Sequence, residues 1–184
     1  MIEKFKNQFD ESWWKIIKPL LMDKRFNLIL ETLISCKFLP EINNIFKVFK
    51  ETKFENIKVV FLGIDSSFSN DIINSLKEDF SEFNEWLFID KSDLSHWGNQ
   101  GVLMLNLALT YELDKPDSHL KLWKYFIEGV LKELDVPIVC FGEKSQLLVH
   151  CCNEQINIPH PTDVEFKTCG IFKKLSNQLK IEFI

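Results

Sequence analysis

Asp65, Asn106 and His160 supply a carboxylate, an amide and an imidazole, each at or just past the end of a short apolar run. The runs are Val59-Val60-Phe61-Leu62-Gly63 before Asp65, Gly101 to Leu109 around Asn106, and Ile156 to Ile158 before His160. Brought to one edge of a sheet, a carboxylate, an amide and an imidazole can surround one ligand pocket. Each also has a purely structural reading: an aspartate capping the next helix, an amide satisfied at a strand end, a histidine packed in the core. What favours a shared site is their common placement, because parallel sheets gather ligand sites along the carboxyl edge of their strands.

The elements that must hold these residues follow from periodicity. Helical spacing predicts helices over Phe9 to Leu21, with Asp10 and Ser12 as capping candidates, over Phe26 to Phe38, closed by Pro40, and over Glu41 to Phe54. Further helices are expected over Asp71 to Phe88, Leu120 to Leu134, Lys144 to Cys152 and Gly170 to Lys180, with a turn or short helix at Leu94 to Trp97. Val59 to Gly63, Gly101 to Leu109, Val136 to Phe141 and Ile156 to Ile158 read as strands. Strands alternating with helices, without repeats, low-complexity tracts or linkers, predict one α/β domain over residues 1–184 with a short four-stranded parallel sheet flanked by helices. Pro159 and Pro161 fix the backbone on either side of His160.

Composition narrows the function classes. With 184 residues, 46% of them hydrophobic, the chain can build an ordinary core without metals or disulfides. No run of about 18 uncharged apolar residues exists to span a membrane, and the amino-terminal stretch has no apolar signal core, so a cytoplasmic or nuclear protein is expected. Five cysteines without CxxC spacing read as reduced and structural. His150, Cys151, Cys152 and Cys169 can be drawn as a metal site, but adjacent cysteines point in different directions and no metal is expected. The net charge of -5 weighs against strong phosphate binding. The lysine groups, Lys121, Lys124 and Lys132, then Lys167, Lys173, Lys174 and Lys180, read as solvated helix faces.

Longer motifs resemble the uracil-DNA glycosylases, over nearly the whole chain from Trp14 to Leu179. The strand and loop VVFLGIDSSFS stands where that family has V-V-I-L-G-Q-D-P-Y-H. The block from Asp93 to Thr110, DLSHWGNQGVLMLNLALT, matches D-L-S-x-W-x-x-Q-G-V-L-L-L-N-x-x-L-T closely. Ser118-His119, Trp123 and Phe126 match S-H-x-x-x-G-W-x-x-F with one residue missing, and His160-Pro161-Thr162 stands for H-P-S. The resemblance implies an enzyme that flips a nucleotide out of DNA and hydrolyses its N-glycosidic bond, leaving an abasic site without metal or cofactor. It implies that Asn106 reads the pyrimidine edge, that His160 hydrogen-bonds the base O2, and that Asp65 orients the water and supports an oxocarbenium-like sugar. Ser66, Ser118, Pro161, Thr162 and Val164 would then contact DNA.

The departures set the remaining expectations. Ile64, Ser66, Ser67 and Phe68 replace the family Gln, Pro, Tyr and His, so Gly63 and Asp65 alone survive from the water-activating motif. Ser67 in place of tyrosine predicts a pocket that admits thymine or other 5-substituted pyrimidines, and Phe68 is the candidate to stack on the base, since the family's stacking segment has no counterpart. Asp163-Val164 replaces Pro-Leu after the histidine motif. A carboxylate facing phosphates and a shorter wedge predict weak duplex binding and a preference for single strands. A monomer is expected, and no partner protein or inhibitor can be named. The alternatives are a glycosylase for a modified base or smaller nucleotide, and a catalytically weak relative kept as a binding or scaffold protein.

Overall fold

A computed structural model describes residues 2–64, 69–81, 95–148 and 154–183. In chain order the regular elements are α1 (Trp14–Met22), α2 (Lys24–Ser35), β1 (Phe38–Leu39), α3 (Lys47–Glu51), β2 (Val59–Gly63), α4 (Ser69–Asp79), α5 (Ser95–Asn99), β3 (Val102–Asn106), β4 (Tyr111–Glu112), α6 (Leu120–Lys132), β5 (Ile138–Phe141), α7 (Gly142–Leu148), β6 (Gln155–Ile158) and α8 (Ile171–Leu179). The four expected strands form one parallel sheet in the order β3-β2-β5-β6. β2, buried along its whole length, and β5 are apolar because both faces are covered, whereas the edge strand β6 alternates Gln155, Ile156, Asn157 and Ile158.

The pleat sorts side chains between two cores. Val60, Leu62, Leu103, Leu105, Ile138 and Cys140 face one layer, completed by residues of α1, α2, α3 and α6. Val59, Phe61, Val102, Val139, Phe141 and Ile158 face the other, against α4, α5, α8 and the 3-10 turn Val164–Thr168. The second core is aromatic: the Phe61 ring lies between about 5 and 6 Å from those of Phe141, Phe172, Phe183 and Trp97. Beyond α8 the chain returns to this core. Ile181 and Phe183 are buried, the Gln100 amide exchanges two hydrogen bonds with the Glu182 backbone at 2.6 and 2.7 Å, and the Trp97 indole N–H donates to the Phe183 carbonyl.

Several boundaries differ from the sequence expectation for local reasons. Asp10 accepts the Ser12 N–H and opens a 3-10 turn, so α1 begins only at Trp14. The helix expected over Glu41 to Phe54 is broken into the 3-10 turns Ile42–Asn44 and Phe54–Asn56 on either side of α3, with Phe46 at the non-helical φ −107°, ψ 15° and Thr52 extended. Residues up to Phe38 do not all continue α2: the chain extends at Cys36, and β1 pairs antiparallel with β4. The lysines of the two clusters are all exposed, as expected of solvated faces. Phe83, Trp86, Leu87, His150, Cys151 and Cys152 lie outside the described residues.

Candidate active site

At the carboxyl edge of the sheet, the strand ends line up in register. Gly63 of β2 pairs with Asn106 of β3, and Phe141 of β5 with Ile158 of β6. Asn106 follows the parity of Val102 and Met104, so its amide projects toward the second core's face of the sheet. A side chain at position 63 would project beside it on that face. Asn106 is half-buried, and among the described residues none hydrogen-bonds its amide. A half-buried donor and acceptor pair at a sheet edge is a ready reader of a base edge.

His160 reaches the same edge from the far strand. It lies against Gly142, the first residue after β5: a Cβ added there would come 3.0 Å from the His160 Cβ and 3.1 Å from its Cδ2. Gly142 also has φ +80°, a conformation that disfavours any residue with a side chain. The turn beneath is tied by the buried Ser145 hydroxyl, which donates to the Phe141 and Gly142 carbonyls, and the Gln146 amide donates to the Ile158 carbonyl just before Pro159. Asn106 and the end of β5 are two strand spacings apart, roughly 10 Å.

The loop from Pro159 to Asp163 orients the imidazole. The Thr162 N–H donates to His160 Nδ1 at 3.3 Å, and the Thr162 hydroxyl lies 2.8 Å from the same atom. A backbone N–H can only donate, so Nδ1 is the acceptor, and in the neutral ring Nε2 carries the hydrogen. Pro161 is buried; rather than offering a DNA-contact surface, it contributes its fixed φ to this loop. Val164, by contrast, is 79% exposed. Asp163 differs from expectation: its Oδ2 accepts the His160 N–H at 3.0 Å, so one carboxylate oxygen is turned back into the loop.

Other candidates are placed as follows. Ile64 is half-buried and packs against the first core, bringing an apolar wall to the edge. Ser118 sits in the connection from β4 to α6, where its hydroxyl accepts the Glu112 N–H at 2.8 Å and its residue lines a cleft of about 400 Å³ with Leu107, Lys121 and Lys124. Behind it, Trp123 Nε1–H donates to Thr110 Oγ1, which lies 2.9 Å from Nδ1 of the buried His119; burial holds that imidazole below its ordinary pKa. Asp65, Ser66, Ser67 and Phe68 lie outside the described residues. Gly142 and Ser145 were not singled out by sequence reasoning as parts of the site, and Asp163 was singled out only for its charge; a glycine straight after a strand was the one signal for Gly142.

No family model matches the chain. A curated uracil-DNA glycosylase from Aliarcobacter butzleri is 31% identical, covering 77% of this chain and 80% of its own length. One from Acinetobacter baylyi is 29% identical over 95% of this chain and 90% of its own. Among solved structures, mimivirus uracil-DNA glycosylase superposes with a TM-score of 0.79 at 19% identity, covering 98% of this chain and 86% of that one. The wild-type UNG of Nitratifractor salsuginis gives 0.69 at 17% identity, over 98% and 96%. A mimivirus UNG variant in complex with UGI gives 0.78 at 20% identity, over 94% and 85%.

Proposed function

The chain belongs to the uracil-DNA glycosylase family, and from that premise we propose that it hydrolyses the N-glycosidic bond of uracil in DNA, leaving free base and an abasic site. The observation that carries this reading is the half-buried Asn106 amide beside Gly63, on the edge where the His160 loop also arrives. Asn106 offers one donor and one acceptor to the uracil edge. As the bond from C1′ breaks, its electron pair moves into the base and charge gathers on O2, where the Nε2–H of His160 donates. Water adds its oxygen to C1′ and keeps one proton as the new 1′-hydroxyl, while its other proton passes to the base nitrogen that leaves. Asp65, two residues past β2, orients that water and supports the cationic sugar.

The same residues bear on selectivity. Ile64 cannot hydrogen-bond a base, so discrimination rests on Asn106, and Ser67 in place of tyrosine supports release of thymine and other 5-substituted pyrimidines. Ser66, Thr162 and Val164 are the proposed DNA contacts, with Phe68 as the stacking ring. A monomer in the cytoplasm or nucleus acting on single strands fits the acidic chain and the short wedge. Strand cleavage of uracil, thymine-mismatch and 5-substituted oligonucleotides after alkali treatment is the test, with Asp65→Asn and His160→Leu as controls. Uracil cleavage lost in both variants is expected; no cleavage of any substrate at high enzyme concentration overturns the reading.

A further inference from the structure

We propose that Asp163 is a positioning residue for His160, acting through the acceptor oxygen of its carboxylate and not through its charge. The inference rests on the glycosylase reading for its catalytic consequence, but its geometry stands apart from it. Asp163 occupies the N-cap position of the 3-10 turn Val164–Thr168, where an aspartate ordinarily accepts an N–H of the turn that follows. Here it makes no such bond. Its Oδ2 turns backward and accepts the His160 N–H at 3.0 Å, while its own N–H donates to the His160 carbonyl at 2.8 Å.

Two opposed bonds between the same two residues close the loop into a clamp. With Thr162 on Nδ1, the loop engages the N–H, the carbonyl and one ring nitrogen of His160, and none of these bonds uses Nε2. The backbone of His160 is thereby fixed at both ends, and Pro159 and Pro161 restrict its neighbours. The side chain then has Gly142 as the wall it rests on. Opening the clamp lets the ring shift along that wall, and displacement of a catalytic group by about 1 Å costs on the order of a hundredfold in rate. The negative charge is a separate matter. Next to exposed Thr162 and Val164, it repels a phosphate backbone, so charge and acceptor oppose each other in the measured constants.

The two roles separate in Asp163→Ala and Asp163→Asn, since asparagine keeps an acceptor Oδ1 and drops the charge. On a single-stranded uracil oligonucleotide, Asp163→Ala is expected to lower kcat by roughly 10- to 100-fold. Asp163→Asn should restore most of that loss while lowering KM below wild type. A kcat unchanged in Asp163→Ala, or a loss as deep in Asp163→Asn, overturns the proposal. Thermal melting of both variants accompanies the assay, so that unfolding is not mistaken for misplacement. Should the wild-type chain release no base, the glycosylase reading fails while the clamp stays measurable. Amide exchange at His160 and its imidazole ¹⁵N shifts, recorded on the full chain, are then expected to change in Asp163→Ala but not in Asp163→Asn. Identical spectra in all three proteins overturn the clamp.

Discussion

At the scale of single residues, the site depends on what glycine and threonine allow His160 to do. Gly142→Ala places a Cβ against the imidazole and forces a left-handed backbone, which costs about 1–2 kcal/mol. Uracil release is expected to fall further than that loss of stability explains, as parallel melting and kcat measurements would show. Thr162→Val removes the hydroxyl from Nδ1 and keeps the N–H, so a moderate loss, about tenfold, is expected in kcat, with the melting temperature unchanged. Ile64→Gln reintroduces an amide at the edge and should favour uracil over thymine, checked by the ratio of kcat/KM for the two bases. Asn106 and His160 were legible from sequence because they end apolar runs. The contact of Asp163 with the His160 N–H was not legible, because nothing in the one-dimensional pattern shows a side chain turning back three residues.

At the scale of elements, the parallel sheet was legible and its neighbours only in part. Three apolar runs ending in polar or glycine residues identify β2, β3 and β5, since strands buried on both faces need continuous hydrophobicity, while the edge strand β6 shows only the alternation of Ile156 and Ile158 with polar residues. The two-residue partners β1 and β4 are too short for any period. Cutting Phe61 back to alanine in the aromatic core should destabilise by about 3–5 kcal/mol, measured by urea unfolding. The element joining β4 to α6 carries a pH dependence. Burial, the largest influence, lowers the His119 pKa from 6.5, with Glu112 and the Thr110 contact opposing it. Below pH 6.5 the unfolded chain takes up a proton that the folded chain resists, so stability is lost as pH falls from there toward the folded value. His119→Gln should flatten that decline between neutral pH and pH 5.5 in thermal melts.

At the scale of the whole molecule, a net charge of -5 has to approach another polyanion. Few phosphate contacts imply a shallow salt dependence: affinity for a single strand should fall by only about 10- to 100-fold between 50 and 200 mM salt, by fluorescence anisotropy. Val164→Leu lengthens the most exposed apolar side chain of the histidine loop and should raise activity on duplex uracil more than on single strands. Equal gains on both would remove the wedge assignment. Among the described residues no helix is long and apolar enough to cross a membrane. The segment from Ile181 to Phe183 has a further, optical use. Trp97 gives its indole N–H to the Phe183 carbonyl and meets that ring edge-on at 5.2 Å, on the helix that leads into β3. Release of the segment would wet this indole, so a red shift of tryptophan emission, missing in Trp97→Phe, would report its departure from the aromatic core.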